Sequence, residues 1–223
     1  AKMADYGSGS YWDERYSTDE ECYDWYQDFS TLEKHLSPLL KRSPGFEILV
    51  MGCGNSRLSA DIYSRGYTNI TNIDISSVVI SQMTDMHAAK EEMEYTVMDA
   101  RNMSLIPDQC FDLAIDKALF DSLLCSMQNL ADIQSLLQEA CRVLKFGGSY
   151  VMISHGEPES RVPYIKQHMT LSAGAVHVDI KVIPLPKPDL KEAMAFTDVK
   201  LLGSAEESKT HFMYICTKTM PSS

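Results

Sequence analysis

The stretch ILVMGCGNSRLS, residues 48–59, runs from four apolar residues through two glycines into the start of a helical segment. A near-continuous apolar run suits a strand buried on both faces of a parallel sheet. Glycine directly after it permits a turn in which backbone approaches a ligand closely. The ligand is the open question: a dinucleotide, a phosphate, or a molecule that carries no phosphate.

The flanking segments extend the pattern in both directions. Ser30-Thr31-Leu32-Glu33 has the form of a capping box, and Leu32, Leu36, Leu39 and Leu40 make a helical stripe that stops at SPG, residues 43–45. FEILVMG (46–52) is the first strand. Leu58 to Arg65 reads as a helix closed by Gly66, TNITNIDI (68–75) as a strand, and Ser77 to Lys90 as a helix with a serine cap. MEYTVMD (93–99) and FDLAID (111–116) follow as the third and fourth strands. Ile133, Leu136, Leu137, Ala140 and Leu144 mark an amphipathic helix ending before Gly147-Gly148, and SYVMIS (149–154) is the fifth strand. AVHVDIKVIP (175–184) and HFMYICT (211–217) are two more strands with no clear helix between them, which predicts an edge hairpin, and PLPKPDL (184–190) reads as a proline-rich loop. Strands alternating with helices at this spacing predict right-handed βαβ units. The expected fold is α/β, a doubly wound, Rossmann-like sheet of seven strands with an antiparallel C-terminal hairpin. At 223 residues a single domain, 1–223, is expected, with residues 1–45 as an N-terminal lid and helix extension whose opening AKMADYGSGS is small and polar.

Composition narrows the partners. The formal net charge of -11 disfavours nucleic acid, which calls for a basic patch, and favours a cationic partner. Residues 1–33 hold nine Asp or Glu against two Lys or Arg. Six cysteines without a C-x-x-C pair argue against a zinc site and against a disulfide scaffold, so no metal is expected. No apolar run approaches the roughly 18 residues of a membrane span and no signal segment opens the chain, so the expected address is cytoplasmic, away from membranes.

In such sheets ligands sit beyond the carboxyl ends of the strands, where strand order reverses. Asp74, Asp99 and Asp116 close the second, third and fourth strands. Asp74 lies 22 residues after Gly52, about where a ribose-binding acid belongs, and its two oxygens suit a pair of ribose hydroxyls. A dinucleotide fingerprint on Gly52 and Gly54 requires glycine at 57, which is Arg57, and no G-K-[ST] follows for a phosphate loop. S-adenosylmethionine fits what remains: it carries ribose, adenine, an amino-acid tail and a sulfonium cation, with no phosphate.

ILVMGCGNS, NIDIS, VMDAR and IDKALFDSLL, with the upstream YWDERY and YDWY, resemble the seven-strand S-adenosylmethionine-dependent methyltransferases over roughly residues 10–155. Within them the likeness is to the methyltransferase-like subgroup that modifies lysines of translation elongation factor 1-alpha. The resemblance implies a protein-lysine N-methyltransferase whose cofactor is S-adenosylmethionine and whose partner is a basic, elongation factor 1-alpha-like protein. It implies that Gly52, with Cys53 and Gly54, underlies the methionine portion, that Asp74 with Ile75 holds the ribose, and that Asp99 with Ala100 addresses the adenine. Lys117 would line the cofactor site, and Trp12, Tyr16 and Trp25 would roof it, consistent with the attraction of aromatic faces for a cation. The family usually carries glycine where this chain has Ala118. For the acceptor side the candidates are Asp116 and Asp121, which would steer or deprotonate the amine. His87, His155 and His177 are proton-transfer candidates by residue type only, with ordinary surface or core roles the first expectation. A small-molecule methyltransferase and a cofactor-binding partner subunit without catalysis are the alternatives.

Overall fold

The computed structural model describes residues 6–19, 21–126, 128–169, 176–188 and 210–220. Seven strands form one sheet: β1 (Ile48–Met51), β2 (Ile70–Asp74), β3 (Met93–Val97), β4 (Phe111–Lys117), β5 (Leu144–Ser154), β6 (His177–Pro186) and β7 (Thr210–Thr219). Their order across the sheet is β3-β2-β1-β4-β5-β7-β6. The first five run parallel, and β7 pairs antiparallel with both β5 and β6.

Strand β1 shows why the sheet is covered on both sides. Its four residues are all buried, and successive side chains of a strand point to opposite faces. Ile48 and Val50 join one core with residues of α2 (Phe29–Leu36), α3 (Leu58–Ser64) and α4 (Ser77–Met86). Leu49 and Met51 join the other with residues of α5 (Leu119–Leu124), α6 (Asn129–Val143) and α7 (Pro158–His168). A further helix, α1 (Gly9–Thr18), docks on α4: Asp13 Oδ1 accepts from Ser76 Oγ at 2.6 Å and Val78 N at 3.2 Å.

Several boundaries differ from the sequence reading. The cap of α2 is Asp28, whose carboxylate accepts from Thr31 N, so the helix begins two residues ahead of the Ser30 box. Helix α4 ends at Met86 rather than Lys90, behind the Ser76 cap. Helix α6 passes directly into β5, and Gly147-Gly148 lie inside that strand, where its pairing with β4 shifts register. What replaces a glycine stop is Lys218, fully buried on β7, whose ammonium donates to Cys141 O at 2.8 Å and Leu144 O at 2.6 Å and so satisfies the helix end. Residues 184–186 of the expected proline-rich loop are strand, paired with 210–212; residues 189–209 of the β6–β7 connection lie outside the described residues, as does residue 175 of the expected sixth strand. The hairpin itself is present, with β6 at the edge and β7 inside the sheet. Among the described residues no helix is long and apolar enough to cross a membrane.

Candidate active site

Strand order reverses between β1 and β4, and the cleft opens above that point. It is lined by the glycine turn, the ends of β2 and β4 and aromatic residues of the N-terminal segment.

The floor is the glycine turn. Gly52 and Gly54 hold φ of +61° and +50°, a left-handed region costing other residues roughly 1–2 kcal/mol. A Cβ on Gly54 would stand 2.7 Å from Tyr16 Oη, so the roof closes onto bare backbone. Asp74 Oδ2 accepts from Gly54 N at 2.9 Å and its Oδ1 from Ser76 N at 3.0 Å. Burial pushes the Asp74 carboxyl up, against these backbone amides. Each oxygen keeps acceptor capacity toward the cleft. Cys53 donates its backbone N–H to Ile73 O, and its thiol is buried in the core beneath, where burial pushes it up.

The far wall contains Met98, Asp99 and Ala100. Asp99 is gripped by Arg101 through Nε and Nη2 at 2.8–3.0 Å. Arg101 also reaches Asp132 Oδ1 and Gly7 O, tying the N-terminal segment to this wall. Overhead, Trp12 stacks on Tyr16 with centroids 5.9 Å apart, and Trp25 lies with Arg15 5.7 Å from its ring. The segment carrying Trp25 is tethered twice. Lys117 Nζ donates to Asp24 at 2.6 Å, and Asn55, the residue after the glycine turn, binds Glu21 O and Tyr23 N. Burial lowers the Lys117 ammonium while Asp24 opposes the shift.

Of the residues named from sequence, the structure brings Trp12, Tyr16, Trp25, Gly52, Gly54, Asp74, Ile75, Asp99, Ala100 and Lys117 together around this cleft. Cys53 lies below it. Asp116 does not reach it: fully buried, its carboxylate accepts from Leu119 N, Phe120 N and Tyr150 Oη and caps α5 from below. Burial pushes its carboxyl up to about 7. Ala118, just above, adopts φ +77°. Sequence reasoning passed over Tyr6, Tyr23, Asn55, Arg101 and Ser122, which also line the cleft; all but Tyr6 were within the motifs that carry the resemblance, whereas nothing local marks Tyr6.

A second recess adjoins the first across Tyr6, Trp12, Trp25, Ala118 and Ser122, and is closed by Tyr26, Asp121, Cys125 and His155. Here Asp121 is the hub. Its Oδ1 accepts from Ser154 Oγ at 2.7 Å and Arg161 Nη2 at 2.9 Å, its Oδ2 from Tyr26 Oη at 2.9 Å and His155 N at 3.0 Å. Burial opposes its ionisation, but His155, Arg161 and Ser154 together hold the carboxyl down to about 2. Gly156 makes the arrangement possible, because a Cβ there would land inside the Arg161 guanidinium. His87 bonds Tyr95 and His177 pairs with Asp179 at the surface, so of the three histidines only His155 enters the site. Among the described residues no cluster of His, Cys, Asp and Glu is placed to hold a metal ion.

Comparison with known proteins agrees with this architecture. A family model described as "Methyltransferase domain" matches residues 42–217. EEF1A lysine methyltransferase 4 of Mus musculus is 30% identical over 191 residues, covering 78% of this chain and 74% of that protein. The eEF1A lysine and N-terminal methyltransferase of Homo sapiens is 36% identical over 154 residues, covering 67% of this chain and 22% of that protein, so the chain spans about a fifth of its length. Among solved structures, phosphoethanolamine N-methyltransferase 2 of Haemonchus contortus in complex with S-adenosyl-L-methionine aligns with a TM-score of 0.63 at 14% identity, over 96% of this chain and 58% of that one, a likeness of fold. The seven-strand order, the glycine turn beneath a carboxylate and the family match lead to one conclusion: this chain belongs to the methyltransferase-domain family.

Proposed function

We propose that this chain is an S-adenosylmethionine-dependent protein-lysine N-methyltransferase acting on an elongation factor 1-alpha-like protein. The observation that carries the reading is the pair of joined recesses: one floored by Gly52, Gly54 and Asp74, the other walled by aromatic rings and Asp121. The residues fit the cofactor. Bare backbone at Gly54 leaves a cradle that a side chain would fill, and Asp74, held by two amides, offers spare acceptors suited to vicinal hydroxyls.

Asp74 and Ile75 would hold the ribose, Asp99 and Ala100 the adenine, and the backbone of Gly52, Cys53 and Gly54 the methionine portion, with Lys117 beside it. Trp12, Tyr16 and Trp25 would face the sulfonium with aromatic surface, worth ~0.5–2 kcal/mol depending on desolvation. The cofactor supplies an activated methyl group when bound. The protein's own contribution is position: the roof excludes water, and the second recess admits a narrow side chain between Trp12, Trp25 and Tyr26. Asp116 acts here as a positioning residue that fixes α5, and so places Ala118 and Asp121. Glu14, Glu21 and Asp28, exposed around the lid, present negative charge to a basic substrate. The names of the mouse and human relatives support the choice of lysine and of elongation factor 1-alpha.

Two measurements test this. Calorimetry with S-adenosylmethionine and NAD side by side should show binding of the first alone. Mass spectrometry of elongation factor 1-alpha after incubation with enzyme and labelled cofactor should place label on lysine, at a rate that falls with salt. Label only on small molecules would redirect the reading to a small acceptor. Binding without any transfer would make the chain a partner subunit.

A further inference from the structure

Asp121 is satisfied without the imidazole beside it. Its four acceptor directions are taken by Ser154, Arg161, Tyr26 and the backbone N–H of His155, yet the His155 ring also lies against it, with Nδ1 2.8 Å from Oδ2. The ring adds to a carboxylate that Arg161 already balances, and the contact fixes how the ring is turned. An ionised carboxylate only accepts, so this contact fixes the proton on Nδ1. The Tyr26 hydroxyl, 2.9 Å from the same nitrogen, donates to Asp121 and can receive the Nδ1 proton in turn. Nε2 is left with its lone pair and has no hydrogen-bond partner among the described residues. The ring is partly exposed, 38% by side chain, and it lines the second recess with Trp12, Trp25 and Ala118.

We propose that His155 Nε2 is the proton acceptor for an amine entering this recess, with Asp121 and Tyr26 as the positioning residues that hold its tautomer. The proposal rests on reading the recess as the acceptor channel. A lysine arrives as an ammonium and carries no free lone pair. One N–H bond breaks and its proton joins His155 Nε2. The freed pair forms the N–C bond to the cofactor's methyl carbon as the C–S bond breaks, and that bonding pair stays on sulfur. The imidazolium then returns its proton to water. The groups facing His155 support this direction of transfer. Asp121 on α5 is anionic, and Arg161 on α7 is engaged with it. The His211 ring on β7 lies tilted against Tyr26, with centroids 4.8 Å apart, and is brought down to about 4, chiefly by burial, so it stays neutral near pH 7 and does not compete as a cation. Tyr6 and Cys125, the remaining titratable neighbours in the recess, are pushed up by burial and stay protonated there.

The test uses the full chain. Long-range nitrogen–proton NMR on histidine-labelled protein should show His155 as the Nδ1–H tautomer with a bare Nε2, and Asp121→Asn should abolish that preference. Methylation of purified elongation factor 1-alpha by His155→Gln should fall about 100-fold near neutral pH, within the range for lost general-base catalysis. The deficit should shrink as pH nears the ~10.4 of a free lysine ammonium. Imidazole in solution should restore part of the rate to His155→Ala, while calorimetric affinity for S-adenosylmethionine stays unchanged in both variants, which also shows that they fold. A deficit equal at every pH, no rescue, or an Nε2–H tautomer would overturn the proposal while leaving the proposed function standing. Wild-type protein that binds no cofactor, or labels no lysine, would remove both.

Discussion

The two halves of the cleft are built from different kinds of contact. On the proposed cofactor side the floor and far wall sit within a few residues of strand ends, with only the aromatic roof brought from the N-terminal segment, and Asp74 bonds the turn one strand away and the next residue but one along the chain. On the proposed acceptor side Ser154, His155, Arg161 and Tyr26 reach Asp121 across sequence separations from 33 to 95. The first half is a row of tips that any parallel sheet would offer. The second exists only when a loop, two helices and a strand end are all in place. Charge on the proposed acceptor side gathers on one buried carboxylate, whereas on the proposed cofactor side Asp74 rests on backbone amides and Arg101 and Lys117 tie the N-terminal segment down.

That contrast can be broken by substitution. Asp121→Asn strips the buried Arg161 guanidinium of its counter-charge, and chemical denaturation should record a loss of about 3–5 kcal/mol. A change below ~1 kcal/mol would show that the acceptor wall is no more interlocked than the cofactor wall. Asp74→Asn should do the opposite. Its cofactor affinity should drop about 100-fold, as expected for weakening hydrogen bonds to a charged group, while stability falls by only about 1–3 kcal/mol, the cost of one buried amide left facing the Asn Nδ2; a stability loss matching that of Asp121→Asn with affinity intact would erase the distinction.

Asp116 sharpens the comparison through pH. Its folded carboxyl titrates at about 7 against an ordinary 3.8, so between those values the folded state binds the proton that the unfolded chain has released. Raising pH through this window therefore costs stability, at a slope approaching 1.4 kcal/mol per unit. Asp121, held at about 2, has the reverse sign: its contribution is complete above 3.8 and is lost as pH falls toward 2. Denaturation midpoints across pH 4–7 should thus slope downward in the wild type more than in Asp116→Asn. The smallest effect belongs to Ala118, whose φ of +77° strains a residue with a Cβ. Ala118→Gly should stabilise by about 0.5–1 kcal/mol, and a thermal midpoint that falls would mean the methyl group packs usefully at the junction of the two recesses.

These differences explain what could be read from sequence. Apolar runs ending in Gly or Asp located β1 to β4, and with them the turn and its carboxylates, because strand, turn and ligand contact are local in the chain. Three helices escaped. GSYWDERYST of α1 has no apolar stripe and docks through Asp13 instead. The six residues of α5 are capped from a strand end by Asp116. Helix α7 carries Pro163 in its interior, which reads as a breaker, although Pro158 at its start was a usable signal. Arg161 was hidden with that helix. His155 was visible as a residue type but not as a neighbour of Asp121, since nothing near it in sequence announces the contact. The family match begins at residue 42, beyond Trp12, Tyr16, Trp25 and Tyr26, so the aromatic roof is the part of the site least constrained by it.

Strand β7 comes last of the seven in sequence but is wedged between β5 and β6, and its Tyr214 hydroxyl donates to Gly156 O at 2.6 Å, beneath His155. During synthesis the ribosome delivers β1 to β4 long before residues 210–219 emerge. A nascent chain can therefore assemble the half proposed to hold the ribose first, and the half proposed to admit a protein side chain is finished only when β7 is threaded into its slot. Assembly in order of emergence would give the unfinished chain its proposed cofactor seat before its mouth, and pulse proteolysis of stalled chains ending before residue 210 should find the first protected and the second open.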